Sequence, residues 1–322
     1  MKLQQLRYIV EILKNDLNVS QAAQSLYTSQ PGVSKQVRML EDELGVQIFS
    51  RSGKHFVDVT PVGHVIIEMA QDVLLRSNEI YRVSDEFSTK SSGKLSIGVT
   101  HTQARYVLPE IIKQFVEEFP EVSIDMHQGT PQQVARMASE GEVDFAIATE
   151  AVHDHTSLMK LPSYEWNRAI LVPKGHPLQD ISYITLKDVA EYPIVTYVFG
   201  FTGRSKLDKA FSEAGLKPRV VCTAADADVI KTYVRLGMGA GILARMALDK
   251  RDDDLSIIDA SHLFETSVTQ LCFRKGIFLR HYMYRFIEMF APHFTREEVD
   301  RYLNMSIKER EEFNQAIHLP TR

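Results

Sequence analysis

The sequence is poor in cysteine and has no long apolar run. Its two cysteines, Cys222 and Cys272, stand alone in apolar, strand-like segments, without the clustering that a disulfide framework or a cysteine metal site requires. No run of about 18 apolar residues marks a membrane span, and the first residues lack the apolar core and cleavage site of a signal peptide. We therefore expect a cytoplasmic protein with no membrane partner and two small core cysteines.

An excess of positive charge is also lacking. The chain of 322 residues carries 37 Lys and Arg against 42 Asp and Glu, a net charge of -5, which argues against a protein that coats nucleic acid without regard to sequence. Residues 1–60 carry seven basic against six acidic residues. DNA binding must therefore be argued from where the charges lie. The length itself predicts two or three domains.

Residues 1–60 predict a small helical domain with a β-hairpin. Apolar residues recur at steps of three and four in a first helix and again over residues 33–44, which is the period of amphipathic helices. Between them, VSQAAQSL suits a short second helix, and the third restarts at Ser29 with Pro31 in its first turn. Two short apolar runs around residues 52–54 predict the hairpin. The pattern is that of an all-α winged helix-turn-helix.

A long helix is predicted for residues 61–90. Thr60 and Pro61 provide a cap followed by a proline in the first turn, and apolar residues continue at helical spacing as far as Val83. About 28 residues at 1.5 Å per residue give a helix of about 40 Å, too long to pack only against so small a domain. We expect it to link the domains and to mediate dimerisation.

Residues 91–300 predict an α/β domain. Strand-like segments such as KLSIGVT, VSIDMHQ and VDFAIAT alternate with helical segments of 10–15 residues, a pattern that implies parallel sheets with helices on both faces. Its length fits two Rossmann-like subdomains, arranged as in type 2 periplasmic binding proteins. A helix follows from about residue 278, and residues 301–322 predict a charged helical tail.

The third helix presents a polar face opposite its apolar stripe. Its outer side chains can hydrogen-bond base edges in a major groove wide enough for a helix: Gln30, Ser34, Lys35 and Arg38. Arg51 and Lys54 on the hairpin are placed to contact neighbouring phosphates. The acidic cluster at residues 41–43 is expected to face away from DNA. The alternative is a three-helix bundle whose polar face is only solvated.

Residues 18–54 carry a longer signature. The S-Q-P-x-x-S core, the L-E-x-x-L-G segment, the F-x-R that follows and T-P-x-G at residues 60–63 resemble the DNA-binding module of LysR-type transcriptional regulators. The resemblance adds Ser29 and Pro31 to the predicted DNA-binding residues. It extends over about residues 1–300 and implies double-stranded promoter DNA as a partner, with homodimers formed through the linker helix and usually assembled into homotetramers.

Three threonine-bearing segments lie where predicted strands end. Thr100 and Thr102 precede a helix, Thr149 follows VDFAIAT, and Thr202 precedes another helix. Free amide groups and the helix dipole at such helix starts bind anions without a cationic side chain, and ligands of open α/β sheets bind at the carboxyl ends of strands. The alternative for each threonine is an ordinary helix cap.

The segments VTHTQARYVLP, SYEWNRAILVPKGHPL and VFGFTGRS resemble the branch of LysR-type regulators that controls sulfur assimilation and cysteine biosynthesis. This resemblance implies an effector pocket formed by Thr100, Thr102, Gln103, Thr149, Trp166 and Thr202. It also implies an acetylserine inducer (N-acetylserine or O-acetylserine), with sulfate able to occupy the pocket and sulfide or thiosulfate as anti-inducers. Trp166 alternatively serves only as an aromatic core residue.

Other functions are less well supported. The sequence offers no nucleophile–base pair, carboxylate pair or metal-ligand spacing, so we expect neither an enzyme nor a bound metal or cofactor. A solute-binding transport component would not need the N-terminal module. Two alternatives stay open: a related regulator of sulfonate-sulfur genes, and a LysR-type regulator of another small anion.

Overall fold

The structure, a computed structural model, describes residues 1–53, 55–87, 92–149, 155–201, 203–248 and 252–322. Two of the predicted site residues, Lys54 and Thr202, lie outside the described residues. The chain divides into two compact units, Met1–Thr89 and Lys90–Arg322. None of the helices formed by the described residues combines the length and apolar character that a membrane crossing requires.

The first unit is a winged helix-turn-helix followed by a long helix, as predicted. Its elements are α1 (Leu3–Lys14), α2 (Val19–Ser25), α3 (Gln30–Leu44), the antiparallel strands β1 (Phe49–Ser52) and β2 (His55–Val59), and α4 (Pro61–Phe87). Three residues of the predicted apolar stripe of α3, Val33, Val37 and Leu40, are fully buried in the core of the unit, whereas the fourth, Leu44 in the last turn, is exposed. The opposite face of α3 is therefore left to solvent.

Local signals set the limits of α3. The Ser29 hydroxyl accepts a hydrogen bond from the amide of Gly32 at 3.3 Å, and Pro31 lies in the first turn, where its missing N–H costs nothing. Gly45 ends the helix in the left-handed region, with φ of 70°, a conformation that favours glycine. The helix α3 thus begins and ends where the sequence predicts.

The T-P-x-G motif fixes the junction between the hairpin and α4. The Thr60 hydroxyl accepts a hydrogen bond from the amide of Gly63 at 2.9 Å and donates to the carbonyl of Gln47 at 2.6 Å. A Cβ atom at Gly63 would lie 2.1 Å from the carbonyl oxygen of Ile48. Only glycine permits this approach of helix to strand.

The helix α4 is buried on one side only. Gly63, Ile67 and Ala70 are its buried residues. Its other sides expose large apolar side chains along the whole helix, at Val62, Val65, Met69, Val73, Ile80, Tyr81, Val83 and Phe87. An exposed apolar surface of this length is typical of an interaction surface.

The second unit contains two five-stranded sheets. The first sheet contains β3 (Gly93–Val99), β4 (Val122–Gln128), β5 (Phe145–Ala148), β6 (Leu158–Trp166) and β12 (Ser267–Arg274), in the order β4-β3-β5-β12-β6. The second contains β7 (Arg168–Pro173), β8 (Ile194–Tyr197), β9 (Val220–Ala224), β10 (Ala240–Ala244) and β11 (Leu255–Asp259), in the order β11-β7-β10-β8-β9. The two sheets form the two predicted subdomains.

Helices connect the strands of each sheet. The first subdomain contains α5 (Leu108–Glu118), α6 (Pro131–Ser139) and α10 (His281–Phe290), and the second contains α7 (Leu186–Ala190), α8 (Arg204–Glu213) and α9 (Ala227–Arg235). Between Thr102 and α5 the chain forms a π-helical turn, Gln103–Val107. The predicted helices near residues 103–118 and 131–140, and after Thr202 and Asp226, are all confirmed.

The prediction of wholly parallel sheets is wrong. Strands joined by helices, β3 to β5 and β8 to β10, are parallel, whereas β6, β7, β11 and β12 pair antiparallel. Only Asn167 separates β6 from β7, so the chain passes directly from one sheet to the other there, and it returns between β11 and β12. These crossings lack the helix that makes neighbouring strands parallel.

The predicted tail is continuous with the second unit. The helix α11 (Arg296–Asn304) runs across residue 300, where the sequence analysis places a boundary, and α12 (Ile307–Ala316) follows it. Val299 and Tyr302 are buried in the same core as the first sheet. Packing therefore does not separate residues 301–322 from the rest of the second unit.

The two cysteines are free thiols. Cys272 on β12 is fully buried, as predicted, and burial raises the pKa of its thiol to about 12. Cys222 is only half-buried, because β9 is an edge strand of the second sheet. The expectation of a core residue is correct for Cys272 alone.

The substitution Gly63→Ala should lower the free energy of unfolding of the full chain by about 1–3 kcal/mol, because the new methyl group must displace the backbone at Ile48, just before β1. Urea unfolding followed by circular dichroism measures the change. The control is His64→Ala, the next residue of α4, which is exposed. Equal stability of the two variants would contradict the assigned role of Gly63.

Candidate DNA-binding surface and effector site

The outer face of α3 carries the residues predicted to contact DNA. Ser29, Gln30, Pro31, Lys35 and Arg38 are exposed, and Ser34 is half-buried. Together with the hairpin, this face forms an open concavity of about 200 Å³ lined by Gln30, Ser34, Arg38, Arg51, Gly53 and Phe56. The structure thus brings together the polar residues of α3 and Arg51 of the hairpin. Their contact with DNA stays a prediction.

Arg51 is held by a structural contact as well. Its guanidinium pairs with the carboxylate of Glu41 and lies 5.2 Å from the ring centre of Phe56. Such a fixed guanidinium keeps its charge at the concavity while losing little freedom when it meets a phosphate. Arg51 therefore joins the hairpin to α3.

Glu41 differs from its acidic neighbours. Its carboxylate is buried and accepts hydrogen bonds from the amides of Ile48 at 2.9 Å and Phe49 at 3.2 Å. Asp42 and Glu43 are exposed. The prediction of one exposed acidic cluster at residues 41–43 is wrong for Glu41, because the L-E-x-x-L-G segment uses it to attach the hairpin.

The described effector residues lie where strands end. Thr100 follows β3, Thr149 follows β5, and Trp166 is the last residue of β6. Thr102 and Gln103 stand at the start of the π-helical turn, a geometry often found at functional sites. Four of these five residues, Thr100, Thr102, Gln103 and Trp166, are at most 7% exposed.

A chain of hydrogen bonds links these segments. The Tyr164 hydroxyl donates to the side-chain carbonyl of Gln103, whose amide lies 3.5 Å from the Thr269 hydroxyl. The hydroxyls of Thr269 and Thr149 are 3.2 Å apart, and the indole N–H of Trp166 donates to Thr149 at 3.3 Å. Side chains from the π-helical turn, the end of β5, β6 and β12 therefore form one connected group of polar residues.

Trp166 serves in the core and in this chain at once. Its ring is 1% exposed and packs in the core of the first sheet, while its N–H is directed to Thr149. The core alternative raised by the sequence is therefore compatible with a role beside the pocket. An indole that packs and still satisfies its N–H is usual for buried tryptophan.

A buried cation lies next to this group. The guanidinium of Arg168 is 5.2 Å from the Trp166 ring centre and donates to the carbonyl oxygens of Gly203 at 2.6 Å and Glu265 at 3.3 Å. The sequence predicts a pocket of neutral hydroxyls and amides. Arg168 adds positive potential beside it, so that expectation was incomplete.

Two buried hydroxyls keep unused hydrogen-bonding capacity. Those of Thr102 and Ser267 make no hydrogen bond to any described residue, and buried polar groups without partners indicate a position for a ligand or water. Burial raises the pKa of Tyr197 to about 12, opposed by the amide of Ala244, so Tyr197 stays neutral at physiological pH.

Comparison with known proteins identifies the family. Residues 3–64 match the bacterial regulatory helix-turn-helix proteins of the lysR family, and residues 88–295 match the LysR substrate binding domain. The chain belongs to the LysR family of bacterial transcriptional regulators.

Individual relatives of this LysR-family chain extend over nearly its whole length. It is 52% identical to the HTH-type transcriptional regulator CysB of Haemophilus influenzae, covering 94% of this chain and 93% of that protein. It is 49% identical to the HTH-type transcriptional regulator SsuR of Burkholderia cenocepacia, covering 93% and 97%. The cofactor-binding domain of the Cbl transcriptional regulator has a similar structure, with a TM-score of 0.64, 41% identity, and coverage of 68% and 98%.

Sequence reasoning missed residues of the effector region that lie within strands. Tyr164 and Thr269 belong to strands whose residues read as ordinary β-sheet, and Arg168 and Ser267 flank the crossings between the sheets. Only the carboxyl ends of strands were predicted to bind a ligand, because ligands of open α/β sheets bind there and helix starts bind anions. A charged residue in an apolar strand, as in NRAILVP, was the available signal for Arg168.

One group of described residues has the composition of a metal site. Side-chain atoms of His101, Asp226 and Asp228 lie within 4.8 Å of one another. Asp226 caps α9 through the amide of Val229 at 2.9 Å, and Asp228 accepts from the Tyr106 hydroxyl at 2.6 Å. The two carboxylates are therefore already used as a helix cap and as an acceptor between the subdomains.

The substitution Glu41→Gln in this LysR-family chain should lower the free energy of unfolding by about 1.5–3 kcal/mol, because charged hydrogen bonds to two amides and Arg51 are lost. Asp42→Asn, an exposed neighbour, should change it by less than about 0.5 kcal/mol. Chemical denaturation of both variants tests this, and similar stabilities would contradict the attachment of the hairpin through Glu41.

Proposed function

We propose that this LysR-family regulator binds promoter DNA of sulfur-assimilation and cysteine-biosynthesis genes and responds to an acetylserine inducer and to sulfur anions. The main structural support for this proposal is that Gln103, Thr149 and Trp166, from three separate segments, meet in one hydrogen-bond chain. The similarity to CysB supports the choice of genes and effectors. The resemblance of VTHTQARYVLP and its companion segments supports the same pocket.

The chemistry of the pocket suits a small anion rich in acceptors. The hydroxyls of Thr100 and Thr102 supply donors, as does the start of the π-helical turn, where amide groups and the helix dipole favour negative charge. Arg168 adds a buried positive charge whose donors already contact carbonyl oxygens. A carboxylate or sulfate group would therefore be bound mainly by neutral donors, with long-range help from one guanidinium.

Access to the pocket requires movement. Because four of the five described effector residues are nearly inaccessible, we propose that the two subdomains separate to admit the effector and close around it. Tyr106 and Asp228, hydrogen-bonded between the π-helical turn and α9, lie where such a movement would act. An effector changes the equilibrium only by binding one arrangement more tightly than the other.

The DNA-binding side would act as a dimer. We propose that the exposed apolar side chains of α4 pair with those of a second copy, which would give a homodimer and, through further contacts, a homotetramer. A dimer presents two α3 helices to successive major grooves. Each would read bases through Gln30, Ser34, Lys35 and Arg38, while Ser29, Pro31, Arg51 and Lys54 lie near the phosphates.

Isothermal titration of the full-length protein with N-acetylserine, O-acetylserine, sulfate and thiosulfate tests the effector assignment. We expect saturable binding of at least one of them, weakened about fivefold in Thr102→Val, because one hydrogen bond is worth about 1 kcal/mol. The control Ser123→Ala removes an exposed hydroxyl of β4 and should leave the affinity unchanged. Absence of binding to all four compounds would contradict the effector assignment and leave the family unaffected.

A further inference from the structure

Residues 319–322, here named the clamp segment, cover the outer edge of β6. β6 is an edge strand of the first sheet, and an edge strand presents unpaired backbone groups. Thr321 forms a parallel bridge with Glu165. The amide of Glu165 donates to the carbonyl of Pro320 at 2.9 Å, and the amide of Arg322 donates to the carbonyl of Glu165 at 2.9 Å. The clamp segment therefore extends the sheet by a single parallel bridge.

Side chains also hold the clamp segment in place. Leu319 is buried, at 8% exposed. The guanidinium of Arg322 lies 5.1 Å from the ring centre of Tyr164, within the range of a cation–π contact. Burial raises the pKa of Tyr164 to about 12, and the charge of Arg322 is among the influences that oppose this rise. The backbone of the clamp segment is thus held at Glu165, and its Arg322 side chain contacts the adjacent residue of β6, Tyr164.

The same edge is covered further along by neighbouring parts of the chain. The His293 ring nitrogen Nε2 lies 2.8 Å from the carbonyl oxygen of Pro162, and the Tyr302 hydroxyl donates to the carbonyl of Lys160 at 2.9 Å. The clamp segment supplies the contact nearest the carboxyl end of β6. That end is where the strand crosses to the second sheet.

The residues on either side of Glu165 are those that face the effector site. Tyr164 donates to Gln103, and Trp166 donates to Thr149. Just before them the register of β6 against β12 shifts by one residue, so that Ser163 bulges from the ladder. A bulge bends a strand and re-aims the side chains that follow it. The clamp segment pairs with the outer edge of β6, whose other edge pairs with β12. It therefore fixes the position of the residues that follow the bulge.

We propose that the clamp segment is a positioning element of the effector site, and that its docking on β6 and the binding of effector stabilise one another. The inference rests on the proposed effector function. Docking holds Glu165, and with it the hydroxyl of Tyr164 and the indole of Trp166, in the geometry that the hydrogen-bond chain requires. Because binding linkage is reciprocal, bound effector must strengthen clamp docking by the same factor.

The first experiment compares effector affinity in clamp variants of the full-length protein, with N-acetylserine and sulfate as probes. A variant that ends at His318 should bind about five- to tenfold more weakly than the wild type, and Arg322→Met about twofold more weakly. Arg322→Lys, which retains the cation, should recover part of the loss. Thr321→Ala keeps the backbone bridge and changes an exposed side chain, so it should bind normally.

Tryptophan fluorescence provides a measurement that would stay unchanged if the clamp segment only stabilised the fold. Trp166 is the only tryptophan of the chain, so emission reports directly on the effector site. Without effector, the emission of the variant that ends at His318 should shift to longer wavelength at a temperature where its circular dichroism equals that of the wild type. An unchanged emission spectrum together with unchanged affinity would overturn the inference.

Reciprocity is tested by hydrogen exchange at the amides of Glu165 and Arg322 in the wild-type protein. Saturating effector should slow exchange at both amides, while the amide of Glu309, a helix-capping contact of α12, should be unaffected. Wild-type binding with equal exchange in both states would overturn the clamp inference alone. Failure of the wild type to bind either probe would overturn the proposed function and this inference with it.

Discussion

The hydrogen-bond chain from Tyr164 through Gln103, Thr269 and Thr149 to Trp166 is the constraint on which the effector half depends. Its members come from four elements that are far apart in sequence, and each is buried or nearly so. A buried polar group that loses its partner costs about 1–3 kcal/mol, so these elements cannot shift independently without loss. The chain therefore makes the strand ends of the first subdomain respond as one body.

The location of this chain explains how a small ligand could affect a large molecule. Trp166 and Arg168 flank the point where the chain crosses from the first sheet to the second, and Ser267 begins the strand after it crosses back. A ligand that touches these residues acts where the two subdomains are joined, and a small rotation at that joint gives a larger displacement at the far ends of the subdomains. Packed interfaces of this kind change between discrete arrangements rather than deforming gradually.

Much of this architecture is predictable because it follows from local rules. Helix periodicity and caps at Ser29 and Thr60 predict the DNA-binding unit, and the alternation of strands and helices predicts the two subdomains. The antiparallel strands were not predictable in this way, because nothing local distinguishes a strand that crosses between sheets from one that returns through a helix. The burial of Glu41 likewise depends on the amides of Ile48 and Phe49, which only the folded hairpin brings to it.

The site was predictable in part for the same reason. The carboxyl ends of strands led to Thr100, Thr102 and Thr149, and family resemblance added Gln103 and Trp166. The supporting partners Tyr164 and Thr269 lie inside strands and reach the site only through the pairing of β6 with β12, whereas Arg168 reaches it from the start of β7 in the second sheet. The docking of residues 319–322 on β6 is a long-range contact between polar segments, for which a single sequence contains no periodic signal.

The central claim is that occupation of the effector site changes how the paired DNA-binding units engage promoter DNA. Nuclease footprinting of the full-length protein on a sulfur-assimilation promoter, with and without saturating N-acetylserine at fixed salt concentration, tests it most directly. We expect the inducer to change the length or position of the protected region. Identical footprints and equal DNA affinity in both states, with inducer binding demonstrated in the same sample, would contradict the account.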